Sequence, residues 1–451
     1  MKDFTHGPIG SQILLFSLPI IAGNLLMQLY QMVDSAIVGQ YIGTNALAAV
    51  GASNPVIFAI ISMVMGIGGG ASVVISQYFG RGNLEKVRLT CDTLHIVLLV
   101  CGALIGAIGI LFSDNILRFM GLPSELIPLG YDYLSVYLGG IFLLFGFNTI
   151  VAIMRGVGDS RTPLYFLLLS SVLNIGLDFL FIVHFEWGVA SAAWATVISQ
   201  GFAYFMAILY INNNKKIVFH INLFRLKFHK KIFSQCLRFG LPTGFQQSFV
   251  AFGMVAIFSI INGYGTNTIA AISAAMRVDS IAVLPAMNFA LALSSFVGQN
   301  IGAGKLDRVK RGLRSTLIIS SSFCVVQSIV LVLLGKYILG FFTSEVEVIE
   351  IGYRYLVSLS LFYVLFSVMQ AFTGLFRGAG AVIFPMLSTF VAMWLGRLPV
   401  AKFLSEYSDL SGVDVISVSV VVGWAVGTAM VVWYYFYGNW SKKSIFEKSN
   451  S

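Results

Sequence analysis

Asp34, Asp178 and Asp279 each stand well inside a run of apolar residues. An ionisable side chain near the centre of a bilayer costs about 2.5–3.5 kcal/mol on insertion scales, so each of these acids calls for a use. Asp34 lies eight residues before Ile42 and Asp178 eight before Glu186, both at the ends of their runs, while Thr196 follows Gly188 by eight. At a rise of 1.5 Å per residue, all three come to rest about 12 Å below the same surface if these runs are helices. Asn174 precedes Asp178 by one helical turn and shares its face, and Asn24, Gln28 and Gln31 form a polar stripe leading towards Asp34. Two kinds of chemistry fit this set. Two carboxyl groups close together in a low-dielectric site can exchange a proton near neutral pH. Two carboxylates, an amide oxygen and a hydroxyl are also hard ligands for a bare cation, here Na⁺. A structural use, in which the acids are satisfied by hydrogen bonds or reach the surface, is the remaining alternative. Asp279 has Arg277 two residues away and reads as one half of a local structural pair.

The elements that must position these groups follow from composition. Of 451 residues, 57% are hydrophobic and only 10% charged, where a soluble protein carries roughly 25%. So few charges cannot coat a water-facing surface, and the chain reads as an all-α integral membrane protein. Apolar runs long enough to cross about 30 Å of hydrocarbon cover residues 12–40, 46–79, 88–113, 124–157, 162–185, 187–213, 232–263, 267–300, 312–341, 346–378, 381–405 and 412–438. Runs such as Val97 to Phe112 are apolar on every face, which excludes the alternating strands of an outer-membrane barrel. The net charge of +9 does not indicate nucleic acid. Most Lys and Arg fall in alternate loops, including Lys215, Lys216, Arg225 and Lys227 in one and Lys442, Lys443 and Lys448 at the end, which places both termini in the cytoplasm. Cys91, Cys101, Cys236 and Cys324 form no CxxC pair and lie in or near apolar runs, so neither a disulfide framework nor a zinc site is expected. The first run is too long for a signal peptide and lacks a cleavage signature.

The halves repeat each other at an offset of 222 or 223 residues. Phe16-Ser17-Leu18-Pro19 recurs as Phe239-Gly240-Leu241-Pro242, and Gln77 to Gly82 as Gln299 to Gly304. Tyr131-Asp132-Tyr133-Leu134 recurs as Tyr353-Arg354-Tyr355-Leu356, and Arg155-Gly156-Val157-Gly158 as Arg377-Gly378-Ala379-Gly380. Six spans per copy is an even number, so the copies are parallel repeats: two six-helix lobes, 1–213 and 232–451, joined by a basic cytoplasmic linker at 214–231. This arrangement suits alternating access around a midplane cavity. The acids are not repeated. At the same offset, Asn174 maps to Gly396, Asp178 to Val400, and Asp34 to Ala256 or Ile257, which confines a coupling site to the first lobe. Pro19 and Pro242 occupy matched positions in the leading spans, where proline frees a carbonyl and can act as a hinge. Gly66 to Gly70 and the Gly102/Gly106 pair suit close helix packing.

Together these residues resemble the multidrug and toxic compound extrusion (MATE) family. The resemblance rests on two sets of six spans, on Pro19 fifteen residues before Asp34, and on the RGVGDSRTP turn from Arg155 to Pro163. The set Asp34, Asn174, Asp178 and Thr196 resembles the amino-lobe cation site of the DinF-like and archaeal branch. The NorM-like branch carries further acids in the second lobe, at positions nearest to Gln246, Gln247 and Phe366 here. The resemblance implies a monomeric antiporter in the inner membrane of a prokaryote. It would export amphipathic, often cationic compounds in exchange for Na⁺ or H⁺, with no cofactor and no catalytic residues. The alternative within the wider superfamily is a flippase for a lipid-linked precursor, although Arg277 and Arg397 are the only cationic candidates for a phosphate well inside the spans. Gly156-Val157-Gly158-Asp159 and Tyr131-Asp132 mimic the motifs of intramembrane aspartyl proteases, yet their carboxyls lie at opposite ends of one span, about 40 Å apart.

Overall fold

The computed structural model describes residues 2–215, 217 and 219–446; Lys216 and Lys448, counted above among the cytoplasmic charges, lie outside the described residues. In the first half the helices are α1 (Ile9–Ile37), α2 (Thr44–Gly80), α3 (Leu84–Phe119), α4 (Ile127–Gly139), α5 (Ile141–Gly156), α6 (Arg161–Asp178) and α7 (Ala190–Asn213). The second half supplies α8 (Lys230–Ile261), α9 (Thr266–Gly302), α10 (Leu306–Gly340), α11 (Val346–Ser360), α12 (Tyr363–Ala379), α13 (Ile383–Phe390), α14 (Leu398–Tyr407) and α15 (Gly412–Tyr437). No strand occurs among the described residues. Ten spans are single helices or helices continued through a short irregular turn. The other two are bent pairs, α4 with α5 at 49° and α11 with α12 at 52°. The bend recurs in the same span of both repeats, so twelve crossings are present.

Local chemistry explains where the helices start and turn. The side chain of Asn83 accepts from the Lys86 amide at 3.0 Å and caps α3, satisfying one of the amides that a helix leaves free at its start. The chain turns before α3 and before α10 through Gly82 and Gly304, at φ of 77° and 73°. Only glycine adopts this left-handed backbone without a Cβ penalty, and the two positions are repeat-related. Large apolar side chains such as Leu104 and Leu111 on α3 and Leu333 on α10 stand exposed, as expected of surfaces that face acyl chains.

The fold comprises two compact units, one formed by Leu18–Leu241 and the other by Phe4–Ser17 together with Pro242 onward. The borders fall beside Pro19 and at Pro242, so each leading helix gives its first turns to the other repeat's unit. In the first unit, the opening of α8 packs on α2. A Cβ at Gly70 would stand 2.7 Å from the Cys236 carbonyl oxygen and 2.7 Å from Gly240 Cα, which is the close packing expected of these glycines. The Tyr78 hydroxyl donates to Gln235 at 3.0 Å. The segment 214–231 belongs to this unit, with Phe219 and Ile221 buried; the Ile221 amide donates to Asn212 at 2.8 Å and the His229 amide to Thr93 at 3.1 Å. In the second unit, the Phe4 amide donates to Gln299 at 2.9 Å. The Phe4 carbonyl accepts from Asn300 at 3.1 Å and from Arg308 at 2.9 Å.

Candidate functional site

Asp34 sits one turn before the end of α1, and Asp178 is the last residue of α6. Each helix then widens into a π turn, Val38–Ile42 and Phe179–His184, and the Tyr41 and Phe179 rings from the two turns meet edge-on with centroids 6.4 Å apart. Such turns interrupt the regular bonding of a helix and recur at functional sites. They bring the ends of α1 and α6 together. The Asp34 and Asp178 carboxyl groups lie within reach of each other. Asn174 Nδ2 donates to Thr196 Oγ1 at 3.5 Å, and Thr196 donates to the Ala192 carbonyl at 3.1 Å. The structure thus brings all four predicted oxygen-bearing side chains into one place in the first unit.

The satisfaction of these groups is the informative part. Asn174 and Asp178 are buried, at 1% and 0% exposure. Asp34 Oδ1, Asn174 Oδ1 and both Asp178 oxygens are buried without a hydrogen-bond partner. Leaving a buried acceptor unsatisfied costs about 1–3 kcal/mol, and more for a charged group. Four such oxygens in one pocket are tolerable when a proton or a small cation joins them. Neutral side chains lie close by: Tyr30, Tyr133 and Tyr137 near Asp34, with Gln200 on Tyr30. These four residues escaped the sequence reading. Tyr133 lay inside a motif that marked only the repeat, and nothing in the spacing tied any of the tyrosines to the acids. In the polar stripe, Asn24 and Gln28 are half-buried and Gln31 is exposed, with Gln31 beside Tyr30. Helix α1 runs through Pro19 without a break.

Two further acids are placed differently. Asp279 is not paired with Arg277, which is exposed; residues two apart on a helix do not face each other. Its Oδ1 accepts from the Tyr363 hydroxyl at 2.7 Å. Asp159 accepts from the Arg161 and Thr162 amides at 3.0 and 3.1 Å and from the Thr162 hydroxyl at 2.8 Å. It therefore ties down the start of α6. Gln246 accepts from Arg377 at 2.6 Å and donates to Thr389 at 2.7 Å, a neutral bridge in the second unit.

Twelve crossings in two repeats, with two acids brought together inside the first unit, define a polytopic membrane protein. The chain belongs to the MatE family, whose sequence profile matches residues 19–180 and again 242–402. The two matches begin at the repeat-related prolines. A probable multidrug resistance protein of Bacillus subtilis, YpnP, is 32% identical over 98% of both chains. A second from the same organism, YoeA, is 31% identical over 96% of this chain and 94% of its own. A solved structure of a multidrug resistance MATE family transporter in its outward-facing conformation superposes with a TM-score of 0.91 at 24% identity, covering 98% of this chain and 99% of that one. The chain is a multi-pass membrane transporter and not an enzyme.

Proposed function

We propose that the chain is a secondary active antiporter that exports amphipathic, often cationic small molecules in exchange for Na⁺ or H⁺ by alternating access. The multidrug resistance names of its B. subtilis relatives support the substrate class. The observation that carries the ion coupling is the group of four unpartnered buried oxygens on Asp34, Asn174 and Asp178. A proton shared by the two carboxyls, or Na⁺ held by these oxygens with Thr196, satisfies them together. An ion can drive transport only if it binds one conformation better than the other; a site assembled from α1, α6 and α7 gains or loses ligands as those helices shift. A flippase for a lipid-linked precursor would instead need several cationic side chains around a phosphate, and this pocket contains acids.

The proposal includes residues 1–213 and 232–451 as the two lobes with 214–231 between them, both termini in the cytoplasm, a monomeric state and an inner-membrane location. Purified protein in proteoliposomes, loaded with a fluorescent cationic dye, tests it. Dye movement driven by an imposed Na⁺ gradient or by an imposed pH gradient is expected, and lost in Asp34→Asn and in Asp178→Asn. Ion-driven movement at the wild-type rate in either variant overturns the coupling role.

A further inference from the structure

The second unit contains its own partly buried polar cluster, centred on Asp279. The Tyr363 hydroxyl donates to Asp279 Oδ1 at 2.7 Å, and the Tyr363 ring packs against Trp424 with centroids 6.0 Å apart. Arg397 enters from the span opposite: its Nη1 rests on the Met254 sulfur at 3.5 Å, its Nε is buried without a partner, and its stem lies against Gly423, where a Cβ would stand 3.2 Å from Arg397 Cβ. Arg397 lies near both Asp279 and Tyr355. The titratable and charged groups near Asp279 from the packed helices are Arg397, Tyr355 and Tyr363, with Cys324 of α10 next to Tyr363.

This cluster shares two repeat positions with the acidic pocket of the first unit. Tyr355 is the repeat counterpart of Tyr133, which flanks Asp34 and Asp178. The second match depends on the helix geometry. The span of α13 and α14 contains a π turn at Val391–Arg397, whereas its counterpart in the first repeat stays α-helical through Asp178. A π turn takes up one residue more than an α turn, so the offset grows from 222 to 223, and the counterpart of Asn174 becomes Arg397 in place of Gly396. The counterparts of the acids are then Ile257 and Ala401, both fully buried in the apolar core. Where the first unit has an amide oxygen and two acids, the second has a guanidinium, two apolar side chains and one acid from a different helix.

We propose that Arg397 is a resident cation: its guanidinium takes in the second unit the place that the exchanged ion takes in the first, so the second unit binds no coupling ion. The inference rests on the coupling role of Asp34 and Asp178. It is tested on purified, detergent-solubilised full chain by counting cations bound, with Na⁺ followed by titration calorimetry and protons by potentiometric titration. Wild-type protein is expected to lose its bound cation in Asp34→Asn/Asp178→Asn. Adding Arg397→Gln to that double variant restores one cation, adding Arg397→Lys restores none, and adding Asp279→Asn to the Arg397→Gln form removes it again. A folded Arg397→Gln form that gains neither a proton nor Na⁺ overturns the proposal. If Arg397→Gln does not yield monodisperse protein, Asp279→Asn alone decides: an unchanged cation count supports the proposal and a lowered one overturns it. A double variant that keeps the wild-type count defeats the first-unit reading instead, while the Arg397→Gln gain is still read separately.

Discussion

Exchanging Asp178 for Asn keeps the volume of the side chain, removes a charge and adds a donor beside Asp34. Coupled efflux is therefore expected to vanish while the melting temperature in detergent rises, because two facing carboxyls no longer compete for one site; a variant that melts lower would argue that the acid serves packing. Thr196→Ala should act more mildly. It leaves Asn174 Nδ2 without its acceptor at 3.5 Å and takes one oxygen from the pocket, a loss of about 1–1.5 kcal/mol. The cation concentration giving half-maximal efflux is then expected to rise about five- to tenfold. That Asp34, Asn174, Asp178 and Thr196 come together was legible because spacing along a helix is simple arithmetic and because acids inside apolar runs are rare. The tyrosines around them were not, since Tyr is common in this chain, 18 residues in all, and sequence depth says nothing of which way a ring points. The pairing of Asp279 with Arg277 failed for the converse reason: closeness in sequence is not closeness on a helix surface.

Among the helices, the glycines set the tightest distances. Gly70→Val is expected to disrupt the crossing of α2 and the opening of α8, where even a Cβ stands 2.7 Å from Gly240 Cα. The cost should reach at least the upper end of the roughly 1–3 kcal/mol seen for overpacked cores. Gly69→Ala is the control: nothing lies within 4 Å of its Cβ position, and alanine favours a helix by up to about 1 kcal/mol, so this neighbour should hold or gain stability. Thermal unfolding of both variants in the same detergent makes the comparison. That these glycines allow close approach was readable from their spacing; the identity of the approaching helix was not, because α8 begins some 160 residues later. The π turns were equally hidden. A single residue of slippage inside an apolar run leaves hydropathy unchanged, yet it decides whether Asn174 corresponds to Gly396 or Arg397.

At the scale of the chain, the distribution of Lys and Arg predicts the orientation proposed above. A cysteine placed at Lys442 should react with a membrane-impermeant maleimide only in inverted vesicles, and one placed at Glu406 only in right-side-out vesicles; the reverse pattern would invert the topology and put the acids near the cytoplasmic face. The twelve spans and the duplication were legible because they are written in composition and in a constant offset. The exchange of first turns was not. The Phe4 amide finds its acceptor on Gln299, 295 residues away, and no local pattern encodes a bond over that separation.

That long bond sets an order on biosynthesis. The stretch from Phe4 to Ser17 leaves the ribosome first, but Gln299, Asn300 and Arg308, which hold Phe4, emerge only when about two-thirds of translation is complete. Until then the opening turns of α1 have no docking site, although the membrane already holds the spans that follow them. A nascent chain arrested before α9 should therefore expose this stretch to protease, and one arrested after α10 should protect it.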